Sequence, residues 1–476
     1  MYCAYITTIK ELRKHSNADR LQCATIFGNN VIVDLTYKEG QRVIYFPTDG
    51  QLSEEFANDN NLVRKKDDAG NNIGGYLDPD KRNITALKLR GEKSDGLVLP
   101  IEVLSKYVDV NTLKDGEQIT MLNGHEICKK YIPRSNHRQG GSTGIGNRTR
   151  KKKVPVAPLF SEHADTEQLA YNLSAFKPGD EIEITLKMHG TSQRTGYLPV
   201  FKGCKKTLLD RILRRDGTPI YDWGYVSGTR RTVLENFDGG YYGSNAFREA
   251  HSKFFEGKLM KGESVYYEVV GFTHTGTPIM ASCNNKKLND KEFVKQYGEE
   301  TVFSYGCEPH PVVHEGWNDS TYGYQNEYIQ YKLPQSDIYV YRMTMTNEDG
   351  FVVEYSPDFM RYRCEQMGAK CVPVFWRGSI PAKIPVIGTA DEMGAPLLKE
   401  NDAGSFVMFK ATEYYDGTDP IGKTHIREGV VVRITNRPKF TAYKHKNFNF
   451  KVLEGIIKDT AVAPDMEEAQ ELSKDE

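Results

Sequence analysis

The stretch EIEITLKMHGTS, residues 181–192, constrains the fold of this chain more than any other part of its sequence. From 182 to 187 its residues alternate, with aliphatic side chains at the even positions and polar side chains at the odd positions. This period of two predicts a β-strand that buries its aliphatic face and directs Lys187 to the opposite face. A lysine would then lie at the end of a strand, just before a turn.

The turn contains Gly190 and Thr191, which add little side-chain bulk. Small residues let backbone amides approach a bound phosphate or nucleotide closely, and a lysine in such a place can act as a nucleophile. The pattern Lys-x-x-Gly is weak by itself, because a chain with 42 glycines in 476 residues produces several such matches by composition. The longer string KMHGTS is far more specific.

KMHGTS resembles the nucleotidyl-lysine motif of ATP-dependent RNA ligases, for which Lys-x-His-Gly-Thr-Asn/Ser is the usual form. DNA ligases and capping enzymes usually have Asp where this chain has His189. The resemblance implies that Lys187 becomes covalently joined to AMP. It also implies that Leu186 and Gly190 contribute to the nucleotide site.

Composition is consistent with a soluble protein of two or three domains, since the net charge is −1, 27% of residues are charged and 38% are hydrophobic. No run of about 18 apolar residues predicts a membrane span, and the N-terminus is too polar for a signal peptide. The eight cysteines form no CxxC pair, which argues against a zinc ribbon and fits a reducing compartment. We expect a cytoplasmic monomer without a membrane partner.

The chain divides by composition into four parts. Residues 1–120 contain short strand-like segments separated by turns, which is typical of a small barrel, and HSNADRLQCATIFG within them resembles the N-terminal OB-like module of one RNA ligase family. Residues 121–153 are rich in Gly, Ser, Lys and Arg, and predict a basic linker able to follow a phosphate backbone. Residues 154–460 form the predicted nucleotidyltransferase domain, and 461–476 an acidic tail.

The predicted fold class is therefore α+β. It comprises an N-terminal OB-like β-barrel followed by an adenylyltransferase domain, an ATP-grasp-like ligase domain of antiparallel sheets with flanking helices. This order of domains resembles the RNA ligases rather than DNA ligases or capping enzymes, which put the OB module second.

Two further motifs follow the lysine in the order of this family. In GTRRT, Arg230 matches by position the arginine that contacts the ribose or the transferred end, and Arg231 is a near-equal candidate. In YYEVVG, Glu268 is a carboxylate within an apolar strand, where unpaired burial would be costly. A structural salt bridge is one explanation; the resemblance implies contact with ribose hydroxyls or a shared metal.

The strand IYVYRMT, from 338 to 344, resembles the aromatic strand with which this family stacks adenine. A π-face suits any nucleobase. Tyr339 is the first candidate by position and Tyr341 the second, while core packing explains either ring equally well.

The last motifs are REGVVV and YKHK. Glu428 and Gly429 precede an aliphatic strand, as in the ligase motif Glu-Gly-hydrophobic, and Glu428 is a hard oxygen ligand able to hold Mg²⁺ or Mn²⁺ through its waters. Lys444 and Lys446 point to the same side of a strand and can bracket a phosphate. Such cations also favour the neutral form of a nearby lysine.

Together these motifs predict an ATP-dependent RNA ligase that seals 3′-OH and 5′-phosphate RNA ends, through ligase-(lysyl-N)-AMP and RNA-adenylate intermediates, in RNA repair. The RNA partner can be a nicked duplex or an RNA-DNA junction. One alternative is a DNA ligase or a GTP-using capping guanylyltransferase. Another is a non-catalytic OB-type RNA-binding protein.

Overall fold

A computed structural model describes residues 2–70, 72–132, 154–163, 166–213, 215–239, 242–309, 335–390, 396–400 and 402–459. Within these residues the chain forms two compact units. The first contains 2–132 together with 285–293 and 447–459, and the second contains the described residues of 154–284 and 294–446. No helix in the described part of the chain combines the length and hydropathy required to cross a bilayer.

The described α-helices are Glu54–Asp59, Leu208–Ile212, Ala246–Phe254, Lys291–Tyr297, Pro357–Met367, Ala403–Tyr414 and Phe448–Asp459. Short 3₁₀ segments occur at Ile101–Leu104, Val110–Thr112, Leu169–Tyr171, Leu173–Ala175 and Asn285–Leu288. The helix Pro357–Met367 shows how local sequence sets these bounds. The Ser356 side chain accepts a hydrogen bond from the Phe359 amide at its start, and Gly368 ends it in the left-handed conformation.

The first unit is built from short strands. They are β1 Ala4–Thr8, β2 Leu12–Lys14, β3 Leu21–Ile26, β4 Asn29–Asp34, β5 Arg42–Phe46, β6 Gly50–Leu52, β7 Lys65–Lys66, β8 Asn72–Gly74, β9 Asn83–Ile84, β10 Leu87–Leu89, β11 Glu92–Ser94, β12 Leu97–Pro100, β13 Gln118–Ile119, β14 Met121–Leu122, β15 His125–Glu126 and β16 Cys128–Lys130. Ile127 and Cys128 are fully buried in its core, so this unit extends at least to residue 132.

The strands of the first unit do not close into the predicted OB-like barrel. They form a four-stranded sheet in the order β12-β5-β1-β13, two three-stranded sheets and several hairpins. Gly96 supplies a physical reason. Its φ is +112°, and an added Cβ would lie 2.6 Å from the Tyr45 ring, so the chain turns sharply there and places β11 and β12 in different sheets.

The C-terminal helix Phe448–Asp459 packs within the first unit. Lys451 Nζ pairs with Asp95 Oδ2 at 2.6 Å, and Lys93 Nζ lies 5.3 Å from the centre of the Phe448 ring. The predicted domain boundaries remain predictions. Positions 133–153 of the basic linker and the whole acidic tail, 461–476, lie outside the described residues.

The second unit is mostly antiparallel. Its strands are β17 Glu167–Gln168, β18 Glu181–Lys187, β19 Thr191–Lys205, β20 Thr218–Gly228, β21 Val233–Leu234, β22 Glu263–Gly271, β23 Cys283–Asn284, β24 Glu300–Thr301, β25 Ser336–Thr346, β26 Val352–Glu354, β27 Val374–Ser379, β28 Lys383–Ala390, β29 Pro396–Glu400, β30 Gly429–Ile434 and β31 Thr441–Lys446. Two sheets dominate, with strand orders β17-β31-β30-β18-β27 and β21-β20-β19-β22-β25-β26. The predicted α+β class, with antiparallel sheets and flanking helices, is confirmed.

Strand β18 has the alternation that the sequence predicts. Ile182, Ile184 and Leu186 are each at most 2% exposed, and the first two pack in the core with Val430, Val432 and the helix Ala403–Tyr414. Burying aliphatic side chains on one face fixes the register, because a slip by one residue would bury the polar face instead. Lys187 is thereby held on the other face.

Candidate active site

Lys187 lies in a row of residues that crosses three strands. It is opposite Gly429 on β30, and Gly429 is opposite Lys446 on β31. In the next row on the same face, Val431 lies opposite Lys444. The sheet therefore brings all three predicted lysines to one face, with Lys187 and Lys446 in the same row.

Glu428 binds both lysines of that row. Its Oε1 atom lies 2.9 Å from Lys187 Nζ and 3.2 Å from Lys446 Nζ, and its side chain is only 3% exposed. Burial favours the neutral acid, but the two ammonium groups and the neighbouring His189 outweigh this effect and lower the pKa of Glu428 far below its ordinary value. The carboxylate stays ionised and serves as an acceptor for cations.

Gly429 makes this geometry possible. Its φ is +146°, and an added Cβ would lie 2.2 Å from the His445 carbonyl oxygen. Only glycine fits this conformation and this close approach of two strands. The Glu-Gly pair of the sequence motif therefore has separate physical roles: one residue carries the charge and the other admits the backbone.

His189 lies on the other side of Glu428. Its Nδ1 atom is 3.7 Å from Oε2, which is an ion-pair distance and longer than a hydrogen bond. The His189 amide donates to the Tyr305 hydroxyl at 2.8 Å, and the imidazole packs edge-on against Phe303 at 4.6 Å. The sequence analysis singled out neither aromatic residue, because the segment that contains them, FSYGCEP at 303–309, is rich in residues typical of turns.

A second row of site residues crosses the six-stranded sheet. Ser192 on β19, Glu268 on β22 and Tyr339 on β25 are directly opposite one another. Tyr341, two residues further along β25, shares their face, and its hydroxyl lies 2.9 Å from Ser192 Oγ. This hydrogen bond sets Tyr341 apart from Tyr339, whose hydroxyl instead donates weakly to Asp337 at 3.4 Å.

Glu268 has the most strongly raised carboxyl pKa near the site. Burial raises the pKa of Glu268 to about 7, opposed by the positive charges of Lys187 and Arg230 and reinforced by the negative charge of Glu428. The two rows are thus close enough for their charges to interact. A half-buried carboxylate of this kind is stabilised by a nearby cation or by a hydroxyl donor.

Arg230 and Arg231 differ in their surroundings. The charge of Arg230 affects the pKa values of Glu268 and Tyr341, whereas that of Arg231 is not among the causes of either shift. The backbone of this segment is held by Arg194, whose guanidinium donates to the carbonyl oxygens of Thr229 and Arg231, each at 2.9 Å. Arg194 carries no sequence signal that distinguishes it from an exposed arginine.

The turn between Lys187 and Ser192 is tightly packed. An added Cβ on Gly190 would lie 2.4 Å from the Val269 carbonyl oxygen and 2.9 Å from Glu268 Cγ. Arg248, fully buried on the helix Ala246–Phe254, donates to the Ser192 carbonyl oxygen at 3.1 Å and to Thr191 Oγ1 at 2.6 Å. The guanidinium therefore holds the turn against this helix.

Leu186 is the predicted nucleotide residue with the least access to this site. Its side chain lies on the opposite face of β18 from Lys187, and its amide donates to the Pro373 carbonyl oxygen at 2.9 Å. Its role in nucleotide binding remains a prediction and would rest on its backbone.

A divalent cation fits the acidic side chains of the site only as a partly hydrated ion. Glu428 Oε2 is buried and makes no hydrogen bond within the described ranges, and Glu268 is a second, half-buried carboxyl group. Nowhere in the described residues do three His, Cys, Asp or Glu side chains form a cluster able to hold a metal. One or two carboxylates completed by water and phosphate oxygens are the usual setting for Mg²⁺.

The arrangement of these elements agrees with the class of protein that the sequence resemblance predicts. A strand-end lysine, a Glu-Gly pair and a basic strand lie in one sheet, and a glutamate and aromatic strand lie in the next. These are the elements that the sequence resemblance predicts for the covalent nucleotidyltransferase class.

The chain is similar to known proteins at the level of its fold. No protein-family model matches the chain, and a search of curated proteins finds no significant match. Solved structures of the Naegleria gruberi RNA ligase do match. The ligase with PPi has a TM-score of 0.51 at 14% identity and covers 94% of this chain and 97% of the ligase. A lysine-to-methionine variant with AMP and Mn has a TM-score of 0.50 at 14% identity and covers 95% and 99%. The chain therefore has the fold of this RNA ligase over nearly its whole length.

Proposed function

We propose that this protein is an ATP-dependent RNA ligase that forms a covalent lysyl-AMP intermediate on Lys187. The observation that carries the proposal is the contact of Lys187 Nζ and Lys446 Nζ with the same buried oxygen of Glu428. The fold match to an RNA ligase determined with PPi, and as variants with ATP or AMP and Mn, supports the same reading.

The residue types suit nucleotidyl transfer. An amine attacks the α-phosphorus of ATP only after it loses its proton, and Lys446, in the same row as Lys187, places a second cation beside the position of the reacting phosphate. Glu428 is a poor proton acceptor because its pKa is low. It instead holds cations, so its part is electrostatic positioning.

A metal ion at this site would be held by Glu428 through water, with Glu268 as a second ligand. When bound, Mg²⁺ or Mn²⁺ supplies charge neutralisation for the phosphate oxygens at the reacting centre. Lys444 and Lys446 would contact the same phosphates from the basic strand.

The nucleoside part of ATP would lie along the second row. We assign Glu268 and Arg230 to the ribose, and Tyr341 or Tyr339 to the adenine face. Gly190 lets the turn pass close to the nucleotide, and Arg248 positions that turn.

The RNA chemistry is proposed as three displacements at phosphorus. Lys187 takes AMP and releases pyrophosphate; AMP then passes to an RNA 5′-phosphate; finally a 3′-OH attacks that phosphate, joins the strand and releases AMP. We propose RNA repair as the setting.

The experiment is incubation of the purified chain with α-labelled ATP and Mg²⁺ or Mn²⁺, followed by denaturing electrophoresis. Label should stay on the wild-type chain, vanish in Lys187→Ala and persist in Lys291→Ala, which removes an exposed lysine outside the site. Protein that takes up no label, and whose intact mass shows no AMP already attached, would refute the proposal. Labelling by GTP instead of ATP would favour a capping enzyme, and sealing of DNA nicks but not RNA nicks would favour a DNA ligase.

A further inference from the structure

The long hairpin formed by β19 and β20 carries an aromatic face. Tyr197 lies opposite Tyr225, Pro199 opposite Trp223, and Phe201 opposite Tyr221. Residues that are paired across strands, or two apart along a strand, share one face of the sheet. Five aromatic rings are therefore aligned on one side of this hairpin.

These rings contact one another along the hairpin. Tyr197 and Tyr225 are stacked with centroids 4.6 Å apart and an interplanar angle of 16°, and Trp223 lies 5.9 Å from Tyr197. Phe201 and Tyr221 meet edge to face at 6.0 Å. All five are half-buried, so part of each ring reaches solvent.

The other face of the hairpin serves the core. Leu198 and Val226 are buried there and pack with Ala157 and Phe160. The hydrophobic requirement of these strands is met on that side. On the aromatic face, the Tyr225 hydroxyl accepts from the Gly257 amide at 2.6 Å and the Tyr221 hydroxyl donates to the Pro155 carbonyl oxygen at 3.2 Å, while part of each of the five rings stays exposed.

One lysine lies over the aromatic face, and further cations are exposed near the tip of the hairpin. Lys261 Nζ lies 5.3 Å from the centre of the Trp223 ring, a cation–π distance. Lys205, Lys206 and Arg215, near the tip of the hairpin, are exposed. Half-exposed aromatic rings beside lysines are the combination with which proteins bind single-stranded nucleic acid, because bases stack on the rings and phosphates pair with the cations. An apolar peptide would gain nothing from the cations.

We propose that this aromatic face binds single-stranded RNA and holds the strand that leads away from the ligated ends. The choice of RNA rests on the proposed function. Tyr197 and Phe201 lie five and nine residues beyond Ser192 on β19, or about 17 Å and about 30 Å along the strand. Odd and even positions point to opposite faces, so this surface is separate from the nucleotide site and would engage RNA several nucleotides from the reacting ends.

The test is the affinity of the full chain for a labelled 12-nucleotide single-stranded RNA, measured by fluorescence anisotropy. The variants are Trp223→Leu and Tyr197→Leu, which keep apolar bulk but remove the π-face, and Trp223→Phe, which keeps a ring. Tyr362→Leu is the matched control, since Tyr362 is an exposed aromatic residue of the same unit on a different element. Thermal unfolding of each variant checks that it is folded.

We expect each leucine variant to bind RNA about 10-fold more weakly and the double variant about 100-fold more weakly. Trp223→Phe and Tyr362→Leu should bind nearly as wild type. Lys261→Ala should weaken binding and reduce the slope of log affinity against log salt by about one. Equal affinity of the folded double variant and wild type would overturn the proposal, as would a change in self-association alone.

Lysine adenylylation, measured on the same samples, separates this proposal from the proposed function. The leucine variants should label with ATP as wild type does, because the aromatic face lies outside the nucleotide site. Unchanged RNA affinity with normal labelling refutes the aromatic surface and leaves the ligase standing. Weakened RNA affinity in the variants, with no labelling even of wild type, refutes the ligase and leaves an RNA-binding surface.

Discussion

A buried carboxylate paired with two cations lies near each end of strand β18, and the two clusters differ in the chemistry of those cations. Near the start, Glu183 Oε2 lies 2.9 Å from Arg361 and 3.1 Å from Arg377, and both arginines also bind Asp358. At the end, Glu428 lies between Lys187 and Lys446. The carboxylates are equally buried, at 4% and 3% exposure.

The difference between guanidinium and ammonium groups indicates which cluster can supply a nucleophile. A guanidinium keeps its proton under all ordinary conditions and binds carboxylates in a fixed planar geometry, so the Glu183 cluster is a permanent structural link. An ammonium is a compact charge that can lose its proton and become a nucleophile. We therefore propose that these two ion clusters, each of which includes one residue of β18, have different tasks: the Glu183 cluster in stability and the Glu428 cluster in chemistry.

The largest expected effect comes from placing an arginine beside Glu428, as in the Glu183 cluster. Lys187→Arg keeps a positive charge beside Glu428 but removes the group that can be adenylylated. We expect labelling by α-labelled ATP to fall about 1,000-fold or more, as in Lys187→Ala. Retained labelling at another lysine, located by peptide mass spectrometry, would contradict the assignment.

The next largest effects distinguish Glu428, whose loss should slow adenylylation, from Glu183, whose loss should lower stability. Glu428→Gln removes the acceptor for both lysines and for a metal, and should slow adenylylation about 100-fold. Glu183→Gln removes the buried partner of two partly exposed arginines that still bind Asp358, and should lower the free energy of unfolding by about 1–2 kcal/mol. The labelling rate per folded molecule should stay close to wild type in Glu183→Gln. If Glu183→Gln slowed adenylylation and Glu428→Gln only lowered stability, the roles proposed for the two clusters would be wrong.

A third test uses Glu268, a half-buried carboxyl group without an arginine pair of the Glu183 kind. Its folded pKa is raised from 4.5 to about 7, so the native state binds a proton that the unfolded state has already lost. Stability should therefore fall as pH rises from about 4.5 to about 7, by about 3 kcal/mol, and then level off.

Glu268→Gln should lack that fall. Urea unfolding of metal-free, AMP-free protein gives the free energy of unfolding at pH 5 and at pH 8. Subtracting the change seen in the variant from the change seen in wild type separates the contribution of Glu268 from those of other titrating groups. A pH dependence that is the same in both proteins would show that Glu268 is ionised throughout the range.

The smallest expected effect is at the structural cluster. Arg377 is about half exposed, and its two bonds to Asp358 lie in solvent. Arg377→Lys should cost about 1 kcal/mol of stability or less and leave adenylylation unchanged. Chemical denaturation and the labelling assay measure both, and a large loss of activity would show that the two ends of β18 are coupled.

Two residues of the candidate site were predicted from local patterns. KMHGTS predicted Lys187, and the Glu-Gly pair before an aliphatic strand predicted Glu428, because both depend on residues adjacent in sequence; the structure brings these two side chains together, and their roles stay predictions. Arg194, Arg248 and Tyr305 could not be found in this way. Their importance comes from contacts with residues 35 to 116 positions away, and nothing in their own neighbourhoods marks them.

The predicted OB-like barrel failed for a related reason. The short strands were predicted from period and turn residues, and they exist at RVIYF and LVLP as β5 and β12. Closure depends instead on how strand edges meet. The sharp turn at Gly96 divides the chain between two sheets, and no pattern in the sequence states which edges will pair.

The sequence by itself determined which face of β18 carries Lys187, since a period of two leaves one choice once the aliphatic face is buried. It also determined the order of the motifs along the chain. Only the tertiary structure decided that Lys187 and Lys446 share one oxygen of Glu428 and that Tyr341, rather than Tyr339, is bonded to Ser192. Those facts depend on register between strands far apart in sequence, and register is set by packing of the whole sheet.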